Sequence, residues 1–132
     1  MRQELDDLLC ERYPEIFRDR HGDPAETGMC WGFCCGDGWL AIIDDLCAEI
    51  SNQVKAGKMP SVVAGQVKGK FGYLRFYILG RFNADINAEA LRLIDLAQKK
   101  AELTCEECGS PAEQIEIQSW CGCCKSRRGV NL

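Results

Sequence analysis

Two Cys-x2-Cys pairs, Cys105/Cys108 and Cys121/Cys124, stand twelve residues apart near the end of the chain. A turn of this kind aims two thiolates at one ion while its backbone N–H groups donate to the sulfurs. Two such turns complete the tetrahedral four-sulfur shell that a structural Zn2+ prefers. Gly109, directly after the second cysteine, suits the tight backbone of the first turn. A closed four-cysteine shell leaves no position for water or substrate, so the spacing predicts one structural zinc per chain and no metal-centred catalysis. In the second pair Cys123 could replace Cys121 or Cys124. Four thiolates and one Zn2+ add two negative charges, and the neighbouring Lys125, Arg127 and Arg128 could neutralise them or contact phosphate.

A second concentration of chemistry lies between Met29 and Trp39, where Cys30, Cys34 and Cys35 alternate with Trp31, Phe33 and Trp39. Three uses compete. A second metal site could draw on Cys30, Cys34 or Cys35 with His21 or Cys47, although no Cys-x2-Cys pair is present. A nucleophilic thiol could work with His21 if the two meet in space and a third group orients the ring. The simplest expectation is that the aromatics cover the core and the cysteines behave as small hydrophobes. Aromatics on a glycine-rich loop also resemble a protein-binding hot spot, which makes Trp31, Phe33 and Trp39 candidate partner-binding residues.

The third concentration is Gly69-Lys-Phe-Gly-Tyr-Leu-Arg-Phe76, which is similar to the RNA-recognition signature K/R-G-F/Y-G/A-F-V-x-F/Y except at its first two positions. Strand aromatics of that signature stack on bases while basic residues hold phosphate. Lys68, Lys70, Phe71, Tyr73 and Arg75 are the corresponding candidates. The flanking elements lack the βαββαβ order, so the RNA-recognition fold itself is not expected.

The elements that must position these groups follow from periodicity. Gln3 to Tyr13 reads as a short amphipathic helix stopped by Pro14. Residues 14 to 37 form a long Gly/Pro/Asp/Cys segment without sustained period, which in a small domain is functional or pinned down. Leu40, Ile43, Leu46, Cys47, Ile50 and Val54 mark a helix ending near Gly57. Ser61 to Val67 and Tyr73 to Leu79 read as two strands of a hairpin turning through 68 to 72, with Leu74, Phe76 and Ile78 on one face and Tyr73, Arg75 and Tyr77 on the other. A last helix from about Asn87 to Thr104 buries Ala90, Leu91, Ile94, Ala97 and Ala101, and leads into Cys105.

With 132 residues, 46% hydrophobic and 27% charged, the chain excludes wholesale disorder and allows one modest core. Its ten cysteines approach the density of a disulfide scaffold. The first twelve residues, however, carry Arg2, Glu4, Asp6, Asp7, Glu11 and Arg12 and have no apolar signal region, which predicts a cytosolic protein with reduced thiols. Apolar runs such as Trp39 to Ile43 are too short to cross a bilayer. The net charge of −4 conceals three blocks: −8 over residues 1–52, +6 over 53–82 and −2 over 83–132. An acidic half and a basic middle give two electrostatic faces.

In combination, Tyr13-Pro14, Asp19-Arg20-His21-Gly22, Met29-Cys30-Trp31-Gly32-Phe33, Cys35-Gly36-Asp37-Gly38-Trp39, Gln66-Val67-Lys68, Lys70-Phe71-Gly72, Leu74-Arg75-Phe76-Tyr77 and Cys105…Cys108-Gly109 resemble a family of small, uncharacterised proteins of tailed phages and prophages with a C-terminal four-cysteine zinc-ribbon-like module. The resemblance spans roughly residues 13 to 124, while Cys34, Cys123 and the last four residues depart from it. It implies a phage-encoded protein acting in the bacterial host cytoplasm. The expected fold is α+β, with helices packed on a small antiparallel sheet over 1–104, a zinc-ribbon or treble-clef-like module at 105–124 and a basic tail at 125–132. The expected function is a non-enzymatic accessory protein that binds a host protein, such as an inhibitor of bacterial defence of the anti-CRISPR kind. The alternative is a nucleic-acid-binding zinc protein using the basic aromatic hairpin.

Overall fold

A computed structural model of the chain describes residues 1–80, 82–115, 118–122 and 124; Cys123 and the tail 125–132, named above, lie outside them. Helix α1 (Gln3–Arg12) carries Glu4 and Asp6 in its first turn and Arg12 in its last, the arrangement that complements a helix dipole. The Tyr13 N–H donates to Leu9 O at 2.9 Å to close its final turn, and Pro14 follows. The long segment after it has only two short 3₁₀ turns, Met29–Trp31 and Asp37–Trp39, around the two-residue strand β1 (Phe33–Cys34). It is nonetheless pinned down, because Ile16, Phe17, Met29 and Phe33 all enter the core.

Helix α2 (Leu40–Lys55) buries Ile43, Leu46, Cys47 and Ile50, as its period predicts. Strands β2 (Ala64–Lys70) and β3 (Tyr73–Ile78) pair antiparallel and β1 pairs with β2 in parallel, giving the order β1-β2-β3. The sheet is therefore mixed, not wholly antiparallel. The chain leaves β1, crosses through α2 and re-enters in the same direction, which only a parallel pairing satisfies. On the inner face Val67, Leu74, Phe76 and Ile78 are buried in the same core as Phe17, whose ring lies edge-on to Phe33 at 4.8 Å and to Phe76 at 6.2 Å.

Helix α3 (Ala84–Glu102) packs on β3 and α2 through Ala90, Ile94, Ala97 and Ala101, with Leu91 partly buried. Alanines on this stripe let the helix lie close, and Gln98 Oε1 accepts a hydrogen bond from Phe76 N at 3.2 Å on the free edge of β3. The helix begins three residues before Asn87, whose non-helical backbone kinks it while its Nδ2 donates to Gly80 O at 2.9 Å. Strands β4 (Glu113–Ile115) and β5 (Gln118–Trp120) form a second, two-stranded sheet between the cysteine turns. No described helix is long and apolar enough to cross a membrane.

The hairpin turn is tighter than the sequence suggests. Lys70 pairs with Tyr73, so only Phe71 and Gly72 turn the chain, with φ of 56° and 81°. Positive φ at both central positions is the type I′ signature. Gly69, which reads as a turn glycine, lies in the strand for another reason: a Cβ there would come within 2.8 Å of Glu106 Oε1 and 3.3 Å of the Trp39 ring. A glycine inside a strand marks such close approach.

Candidate metal centre and binding face

The four predicted ligand cysteines converge. The Sγ atoms of Cys105, Cys108, Cys121 and Cys124 all lie within 4.8 Å of one another, and Cys108 and Cys121 are 3.5 Å apart. Sulfurs bonded at about 2.3 Å to a tetrahedral ion would be separated by about 3.8 Å, so the cluster has the dimensions of a metal shell and not of disulfides. A wholly sulfur donor set suits a soft or borderline ion. Cys124 N donates to Cys121 Sγ at 3.4 Å, the inward N–H that steadies a coordinating thiolate. In the first turn Gly109 N donates to Cys105 O at 2.9 Å and Cys105 N to Ser110 O at 2.7 Å, with Gly109 at φ 81°. Hydrogen bonds from Ser110, reinforced by Cys121 and Cys124, bring the solvent-facing Cys108 thiol down to about 6. Cys105 and Cys124 are fully buried.

The Gly36-Asp37-Gly38-Trp39 string docks this first turn on the core. Gly38 N donates to Glu106 O at 2.7 Å and Trp39 Nε1 to Thr104 O at 3.0 Å. A Cβ at Gly36 would fall 2.2 Å from Glu106 O, and one at Gly38 would fall 2.1 Å from Cys105 O. Two backbones thus meet where no side chain fits. Asp37 accepts from Arg2 N and Arg2 Nε, both at 2.7 Å, and the N-terminal amine donates to Cys35 O, which fastens the start of α1 to the same loop.

The N-terminal thiols do not gather. Among the described residues the C-terminal cluster is the sole group of three or more metal-ligating side chains, so the second site from Cys30, Cys34, Cys35, Cys47 and His21 is not formed. Cys30 Sγ donates to Thr27 O at 3.3 Å and Cys34 Sγ to Trp31 O at 3.5 Å, and among the described residues no hydrogen bond joins either to His21, which is exposed. Burial pushes the Cys35 thiol up to about 12 and the Cys10 thiol up to about 11, the reverse of what activates a nucleophile. Burial also raises Cys47.

Two of the three candidate partner-binding aromatics are core residues. Trp39 is 0% and Phe33 4% exposed, whereas Trp31 is 67% exposed. Phe33 faces inward because β1 pairs it with Val67, and Trp39 is held by its hydrogen bond under the cysteine turn.

The basic candidates, by contrast, share one face. Opposite the buried side of the hairpin, the rungs pair Gln66 with Tyr77, Lys68 with Arg75 and Lys70 with Tyr73, and exposed Cys34 extends the middle rung. Each cation lies near a ring: Lys68 Nζ is 6.0 Å from the Tyr77 centroid, Lys70 Nζ 5.7 Å from Phe71 and Arg75 Cζ 5.3 Å from Tyr73. Among the described residues no ion pair joins Lys68, Lys70 or Arg75 to a carboxylate.

One further structural site was missed from the sequence. Arg20 Nε and Nη2 donate to Asp6 Oδ1 and Oδ2 at 2.9 and 3.2 Å, and Arg20 Nη1 donates to Cys30 O at 3.0 Å. Asp6 also accepts from Phe33 N at 3.3 Å. Gly32, at φ 75°, passes so close that a Cβ would lie 2.6 Å from Asp6 Oδ2. An aspartate on the apolar side of α1 was the available signal.

Compared with family models, curated proteins and solved structures, the chain matches none.

Proposed function

We propose that this protein is a small nucleic-acid-binding protein built around a structural zinc ion, with the outer face of the β2–β3 hairpin as its working surface. Lys68, Lys70 and Arg75, without carboxylate partners among the described residues and interleaved with Phe71, Tyr73 and Tyr77, carry this reading. They belong to a stretch, residues 53–82, that contains six basic residues and no acid in a chain of net charge −4. Phosphate attracts such a face, and the rings offer stacking surfaces. Zinc at Cys105, Cys108, Cys121 and Cys124 supplies structural closure only: it ties β4 and β5 to the turn that docks on the core. The sequence resemblance supports a phage-encoded accessory protein acting in the bacterial cytoplasm.

Metal analysis should find one zinc per chain, lost in Cys105→Ala. The zinc-loaded protein should be retained on immobilised nucleic acid at low salt, and retention should weaken steeply with salt and in Lys70→Ala/Arg75→Ala. Retention unaffected by salt or by that pair of changes would refute the surface assignment. A second reading, capture of a host protein as a defence inhibitor of the anti-CRISPR kind, is favoured by Trp31, which stands 67% exposed on its 3₁₀ turn. It predicts a stoichiometric complex with a host protein that Trp31→Ala weakens and Lys70→Ala/Arg75→Ala leaves intact.

A further inference from the structure

The hairpin tip holds a residue that its backbone conformation disfavours. Phe71 adopts φ of 56° and is 60% exposed, so it occupies the left-handed region without filling the core. That region disfavours a bulky side chain, and the first central position of a type I′ turn is where asparagine, aspartate or glycine is preferred. Strain kept at an exposed position points to a task for the ring. Behind it, Tyr73 and Tyr77 lie on the same face of one strand, about 13 Å apart at the ordinary rise per residue. Every one of these rings has a cation within 6.0 Å: Lys70 beside Phe71, Arg75 beside Tyr73 and Lys68 beside Tyr77.

We propose that this face takes a single-stranded polynucleotide, its unpaired bases stacking on Phe71, Tyr73 and Tyr77 while Lys68, Lys70 and Arg75 hold the intervening phosphates. The inference rests on the nucleic-acid reading above and deepens it. In a duplex the base faces are already stacked on each other, so a ligand of that kind could use the cations and leave the rings idle. Stacking is tolerant of sequence because every base presents a π-face, and the three ring-and-cation pairs recognise no particular base.

The test measures binding of the zinc-loaded protein to labelled oligo(dT) and oligo(U) of roughly twelve nucleotides and to a duplex of the same length at about 50 mM salt. Single strands should bind at least about tenfold more tightly than the duplex, the DNA and RNA arms telling which polymer is taken. Phe71→Asn is the decisive variant, because it places Asn-Gly in the turn. It should melt higher than the parent chain and yet bind single strands about tenfold more weakly. Equal or tighter duplex binding would overturn this inference and leave the nucleic-acid reading standing. Failure to retain any of the three polymers would overturn both. Phe71→Asn with unchanged affinity, or with a lower melting temperature, would overturn the role given to the tip.

Discussion

Replacing Gly38 by alanine should cost far more than an alanine substitution at a glycine with open space around it. A Cβ at this position would sit 2.1 Å from Cys105 O, 2.5 Å from Gly109 N and 2.7 Å from Glu106 C, all backbone atoms. Ordinary contact begins at 3.4 Å, so the two backbone segments must separate by 1 Å or more, and no side-chain rotation relieves the clash. Separation breaks the 2.7 Å bond from Gly38 N to Glu106 O and the 3.0 Å bond from Trp39 Nε1 to Thr104 O. Each contributes about 1 kcal/mol. Exposing about a third of the wholly buried Trp39 side chain adds roughly 2 kcal/mol. The sum, about 4 kcal/mol, corresponds to a fall in Tm of roughly 15 °C for a chain of this length. Gly57→Ala is the matched control, since Gly57 has φ 74° and nothing within 4 Å. It should lose only the left-handed penalty of about 1–2 kcal/mol. Urea melts of the zinc-loaded variants measure the difference, and a chelator should strip the metal faster from Gly38→Ala than from Gly57→Ala. Equal losses in the two variants would refute the claim that this loop bears on the cysteine turn.

Two further outcomes follow from buried polar groups. Asp6→Ala removes the acceptor of Arg20 Nε, Arg20 Nη2 and Phe33 N in a site where the Asp6 and Arg20 side chains are 7% and 15% exposed, and should destabilise the protein by about 3–5 kcal/mol in a urea melt. Introducing Arg20→Met beside it should recover part of that loss, which a purely steric role for Asp6 would not allow. At alkaline pH the buried Cys35 thiol, raised from 9.0 to about 12, makes the unfolded chain the readier proton donor. Its contribution is intact below pH 9 and is lost as pH climbs towards 12, at up to about 1.4 kcal/mol per unit. Stability measured from pH 8 to 11 should therefore fall less steeply in Cys35→Val, and identical slopes would show that Cys35 does not drive the loss.

Elements with a strong period were legible in the sequence, and so was the four-cysteine cluster. The stripe Ile43, Leu46, Cys47, Ile50 and the alternation Leu74, Phe76, Ile78 each specify which side of an element is buried, because a helix or strand presents its side chains at a fixed repeat. Cys105, Cys108, Cys121 and Cys124 were legible because metal geometry constrains ligands locally, two to a turn. What was hidden depends on partners distant in the chain. The sequence names Asp6 and Arg20 without showing that they meet across fourteen residues, and it cannot show that Phe33 enters a parallel pair with Val67. Trp39 and Phe33 look like surface anchors when counted as aromatics on a glycine-rich loop. Their burial follows from what the glycines are for: Gly36 and Gly38 admit the cysteine turn, and that turn covers Trp39.

The same logic connects the metal centre to the face proposed to bind. Strand β2 alternates its side chains between two tasks. On the inner side Val67 enters the core and Gly69 yields room to Glu106 and Trp39, so the cysteine turn presses on the strand near its end. On the outer side, one residue before and one after Gly69, stand Lys68 and Lys70. A Cβ at 69 would turn the Glu106 carboxylate aside and meet the Trp39 ring at 3.3 Å. A metal ion held by Cys105, Cys108, Cys121 and Cys124 would, on the proposed reading, act on binding without touching the ligand: it would hold the turn whose Glu106 side chain lies against the inner side of the strand that carries the charge.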